Sequence, residues 1–150
     1  MEKKEVKSML TVVNCGPDKP FNHSATYVLA FMAKKIAKIE EVTVFYGPYG
    51  VDMVKKGELA KLKIAGSVKE LIASQIEGLS PSDIPDDLGQ LARYEKEEMG
   101  INVVSCGTFH VINGFAKTVD DKTNIEDFVD VLELPAVMNA ILEADKVHYM

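Results

Sequence analysis

Arginine is almost missing from this chain. Arg93 is the only one in 150 residues, and the net charge is −6. Nucleic acids are held by clustered Arg and Lys, so the balance argues against a nucleic-acid partner. It argues equally against a site built on bidentate Arg–phosphate contacts, because Arg93 lies in a charged helical stretch. Cysteine is scarce as well. Cys15 and Cys106 are the only two, too few for a disulfide framework, and no CxxC pair offers a zinc ribbon or a thioredoxin-type couple. The longest apolar run, Tyr27–Ala33 (YVLAFMA), is too short to span a bilayer. The first residues, MEKKEVKSMLTVV, lack the long apolar region and small-residue cleavage site of a signal peptide. The expectation is a single domain of residues 1–150 in a reducing cytoplasm, with both thiols free and no membrane contact.

Phosphate cradles are absent too. There is no GxGxxG, no GxxxxGK[ST] and no GxSxG elbow. The loop where a flavodoxin-type phosphate site would sit reads NCGPDKPFNHS, and its Pro17 and Pro20 remove two of the N–H groups such a loop offers.

What is present is a strand–helix alternation. Met9–Val13, Val42–Tyr46, Ile101–Ser105, Phe128–Leu132 and Lys146–Tyr149 are short β-rich runs. The first three are almost continuously apolar, as strands covered on both faces are. Helical spacing predicts helices over Ser24–Lys38, Ser67–Leu79 and Asp87–Met99, the last stopped by Gly100, and a final helix with Pro135 in its first turn. The Ser24–Lys38 helix is apolar over most of its circumference, which calls for cover on more than one side and hence for an oligomer. Alternating strands and helices predict a three-layer α/β/α domain with a mainly parallel five-stranded sheet. The connection around residues 51–99 is long and holds extra helices, separated by the turn cluster LSPSDIPDD; it reads as a lid or an interface.

In open parallel sheets, sites gather at the carboxyl ends of the strands. Both cysteines fall at that end. Cys106 sits in VVSCGTFH, where a strand ends and a short helix is expected near Gly107 or Thr108. A helix N-terminus favours a thiolate, the reactive form of cysteine. Gly107 would let backbone approach closely, Thr108 would cap the turn or bind an anion, and His110, four residues on, would serve as an acid or base. The competing reading makes Cys106 a small buried hydrophobe. His23 and His148 read as surface or cap residues. Cys15, Cys106, His23 and His110 are ligand types that suit zinc, but their spacing matches no zinc pattern, so no metal is expected.

These residues also resemble a family. VVNCGPD, ATYVLAFMAKKI and VTVFYGPYGVDMVKKG in the first half, and MGINVVSCGTFHVINGF, FVDVLELPAV and ILEADKVHYM in the second, resemble the DsrE/DsrF-like family of sulfur-relay proteins. The resemblance implies a flavodoxin-like fold, assembly as a trimer or hexamer, and sulfur carried as a persulfide on one cysteine between partner proteins, with no cofactor. The matching cysteine is Cys106. Members of the family usually have no cysteine at the place of Cys15, and Glu58–Asp86 has no counterpart. Two functions follow: a sulfur carrier or sulfurtransferase acting through Cys106, or a non-catalytic subunit or binding module in which Cys106 is structural. A small-molecule or nucleotide binder on the same scaffold is the third.

Overall fold

The computed structural model describes residues 5–150. Five strands, β1 (Ser8–Val13), β2 (Glu41–Tyr46), β3 (Asn102–Cys106), β4 (Asp130–Leu132) and β5 (Lys146–Tyr149), form one sheet in the order β4-β3-β2-β1-β5. Every neighbouring pair is parallel. The expected "mainly parallel" sheet is therefore wholly parallel, and the architecture is three-layer α/β/α and flavodoxin-like.

The strands alternate their side chains between two clusters, as the pleat requires. On one face Val13, Val44, Tyr46 and Val103 pack with α1 (Pro20–Lys35) and α3 (Leu88–Met99) through Tyr27, Ala30, Leu88 and Leu91. On the other, Leu10, Val12, Phe45, Val104 and Cys106 pack with α5 (Leu134–Glu143) through Val137 and Ile141. Fully burying a valine of this kind contributes roughly 1.5–3 kcal/mol, so the continuous apolar strands carry the core.

Most expected elements form, with shifted ends. α1 begins at Pro20 rather than Ser24, because Pro20 is preorganised for the first helical turn. Asp87 caps α3 through Gln90 N at 2.8 Å, worth about 1 kcal/mol. Gly100 (φ 70°) ends α3 in the left-handed conformation that glycine adopts freely. The helix expected over Ser67–Leu79 shortens to α2 (Gly66–Ala73) and continues as turns. The strand expected over Phe128–Leu132 pairs only from Asp130, since Phe128 and Val129 are buried in the α1/α3 cluster instead.

Topology marks a candidate position. The connection after β3 packs Ile125, Phe128 and Val129 on the α1/α3 face, whereas the chain after β4 crosses to the other face as α5. Adjacent strands whose continuations part to opposite faces leave a crevice at their carboxyl ends, the usual place for a site in such sheets. Cys106 pairs with Leu132 at that point.

Candidate functional site

Cys106 is both the last residue of β3 and the N-cap of α4 (Gly107–Ile112). The helix starts one residue on, as the sequence suggests. The thiol is free, 2% exposed, and shares an apolar cluster with Phe109, Leu132 and Val137. No side chain caps α4.

At Gly107 the backbone that comes close is that of Val119. A Cβ there would lie 2.3 Å from the carbonyl oxygen of Val119 and 2.6 Å from Val131 Cγ1. Its bare Cα lets the segment through Val119 lie directly on the turn after Cys106. Thr108 is half-buried in the same turn.

His110 is fully buried, and its hydrogen bond goes to Ser105 rather than to Cys106. Its Nε2 lies 2.6 Å from Ser105 Oγ, and its ring lies 5.1 Å from that of Phe115. Ser105 precedes Cys106 on a strand, so its side chain faces the opposite side of the sheet. The i,i+4 spacing from Cys106 was the expected link; the strand-to-helix turn breaks it, because only one of the two residues is helical. Burial lowers the His110 pKa to about 4, so the imidazole is neutral and holds Ser105 by a neutral hydrogen bond. Its Nδ1 has no partner among the described residues.

Cys15 lies beyond the end of β1. In register, Val13 lies beside Tyr46 and Tyr46 beside Ser105. The two cysteines are therefore at the same level of the sheet, as expected, but β2 stands between their strands. Two strand spacings are about 10 Å. A disulfide needs Cα atoms within about 7 Å. The side chains also part: Cys15 packs with the α1/α3 cluster and Cys106 with the α5 cluster. Oxidation of the folded chain is expected to leave both thiols free of an intramolecular bridge, and an intact mass without reductant checks this.

Burial, then the carboxylate of Asp18, raises the Cys15 pKa; a hydrogen bond with Asn22 and the charge of Lys19 do not reverse it. Cys15 Sγ lies 3.8 Å from His23 Nε2, whose N–H donates to Gly16 O at 2.8 Å. His23, read as a surface or cap residue, is instead fully buried. It pins the β1 loop to α1, and burial lowers its pKa.

The sequence reading missed a second polar group. Tyr27 of α1 and Tyr46 at the end of β2 join hydroxyl to hydroxyl in the core. Glu95 of α3 is fully buried nearby, and neither carboxyl oxygen has a partner among the described residues. Desolvation raises its pKa well above the usual range. A signal existed: Glu95 occupies the i+7 place of the stripe Leu88, Leu91, Ala92, where an apolar residue belongs.

Among the described residues no group of three or more His, Cys, Asp and Glu side chains could hold a metal ion, and no helix is long and apolar enough to cross a membrane.

No protein-family model matches the sequence, and no curated protein does. A solved structure does match in fold. The chain is similar to the ychN protein from E. coli. The TM-score against that crystal structure is 0.61, over 97% of this chain and 100% of ychN, at 13% sequence identity.

Proposed function

We propose that the chain is a sulfur carrier that holds a persulfide on Cys106 and passes it to an acceptor thiol. The observation that carries this reading is the position of a free thiol at the carboxyl end of β3, where the chain parts to opposite faces and α4 begins. The DsrE/DsrF-like resemblance of the sequence and the fold shared with ychN support it. In the loading step the Cys106 thiolate attacks the outer sulfur of a donor persulfide or polysulfide. The new S–S bond forms as the donor's S–S bond breaks, and the remainder of the donor leaves as a thiolate, as a shorter polysulfide or, from thiosulfate, as sulfite. Transfer to the acceptor repeats this in reverse. Donor access requires the cover around Cys106 to open locally.

Assembly with further copies of the same chain belongs to this proposal. Leu134, Met138 and Leu142 form an exposed apolar row along α5, three turns on one face.

The test is an intact mass of the reduced chain after incubation with polysulfide or thiosulfate. A gain of about 32 Da per sulfur atom is expected, kept in Cys15→Ser and lost in Cys106→Ser. No adduct from either donor sinks the proposal.

The burial of Cys106 favours a second reading, a non-catalytic subunit with a structural thiol. That reading expects no adduct, and no gain in Cys106 alkylation when Val137→Ala loosens the apolar cover.

A further inference from the structure

The stripe of α2 does not reach a core. No residue of α2 is buried. Instead α2 and the turns after it stand off from α1 and α3 across a groove of about 1020 Å³. That volume lies at the upper end for small-molecule sites. Its walls are apolar: Val28 and Phe31 from α1, Val68 and Ile72 from α2, Ile76 beyond it, and Leu91 from α3. Tyr27 and Glu95 belong to its floor.

An apolar groove is common; an acid like Glu95 beneath it is not. Both its oxygens lack a partner, and a buried charge normally has one. The groups that face it are neutral, the paired hydroxyls of Tyr27 and Tyr46. Among the described residues no lysine, arginine or histidine contributes to its electrostatics. Among the charges lining the groove, Glu77, Asp83 and Glu98 stand against Lys35 and Lys63, and Lys63 is drawn toward Asp87 at 3.8 Å. What the carboxyl lacks is a partner, and the groove around it is apolar.

We propose that the groove between α1, α2 and α3 binds a small amphipathic amine, whose apolar body lies along α2 and whose ammonium pairs with Glu95. An ammonium–carboxylate contact out of water is a charge-assisted hydrogen bond, stronger than a neutral one. Before binding, burial keeps the proton on the acid. On binding, that proton leaves to solvent and the ammonium takes its place. An acid excess along the groove attracts cations and repels carboxylates. The site is separate from Cys106, which lies on the other face of the sheet.

Titration calorimetry of the full chain with octylamine, octanol and octanoate tests this. Octylamine is expected to bind at one site, and octanol and octanoate at least tenfold more weakly. Glu95→Gln, which keeps the shape, is expected to weaken octylamine at least tenfold. Ile72→Trp, which fills the groove, is expected to weaken all three ligands, and Cys106→Ser none. Equal octylamine affinity in Glu95→Gln, equal affinity for octanol or octanoate, or no octylamine binding at millimolar concentration overturns the proposal. The last result, together with sedimentation showing a dimer that Leu71→Lys or Ile72→Trp dissociates, would assign the groove to a second copy.

Discussion

Gly107→Ala is expected to destabilise the fold by about 3 kcal/mol or more, at the top of the range for overpacking. The clash explains the size. The added Cβ would meet a main-chain oxygen, that of Val119, at 2.3 Å, and two valine methyl carbons within 2.7 Å. A main-chain atom cannot swing aside as a long side chain can. The segment through Val119 must lift, and the turn after Cys106 loses its cover. In a chain of this length the expected fall in Tm is roughly 6–12 °C. Gly66→Ala is the control: no atom lies within 4 Å of its Cβ, and it opens α2, so its Tm is expected to stay level or rise slightly. Thermal unfolding of both variants checks this. A turn with room for a Cβ at residue 107 would tolerate alanine with little loss of stability. A Gly107→Ala chain melting within 2 °C of the parent, a shift worth less than about 1 kcal/mol, would refute the steric account.

The strand ends were legible, and so the neighbourhood of Cys106 was too. Continuous apolar runs and Gly100 fixed β3 to within one residue, because burial on both faces leaves a strong, local signal. What the sequence could not show was facing. Ser105 and Cys106 are neighbours, yet they serve opposite sides of the sheet. The partner of His110 therefore turned out to be the residue before the expected one. Strand order was equally hidden. Cys15 and Cys106 share a level, but β2 lies between them, and nothing local tells which strand pairs with which. Glu95 was the opposite case: its place on an apolar stripe was readable, but its lack of partners depends on α1 and β2 together. The α2 stripe was legible as apolar, but periodicity reports which side is apolar and not what fills the space beside it.

Between pH 6.5 and 4 the chain is expected to carry two opposed titrations. His110 titrates at about 4 in the fold and near 6.5 when unfolded. Its stabilising contribution is complete above pH 6.5 and is lost as the pH falls toward 4, on the order of 3 kcal/mol in all. His23 is lowered for the same reason and acts in the same direction. Glu95 has the opposite sign. Its pKa in the fold is raised, so its contribution is complete below about pH 4.3 and is lost as the pH rises through that raised value. Asp86, Asp121 and Asp127 are lowered by their hydrogen bonds and lose their contributions only below about pH 4. The window above 4.3 therefore belongs to the histidines and Glu95. In the parent chain the fall from Glu95 opposes the climb from the histidines, and each group contributes at most about 1.4 kcal/mol per pH unit. Glu95→Gln removes the fall, so its stability climbs with pH to about 6.5 and then levels. His110→Gln removes most of the climb and leaves the fall. Urea unfolding at half-unit steps from pH 4.5 to 8 separates the three curves. Parallel curves for the parent and Glu95→Gln would mean that the acid has a counter-charge in the fold, and the amine site would lose its anchor with it.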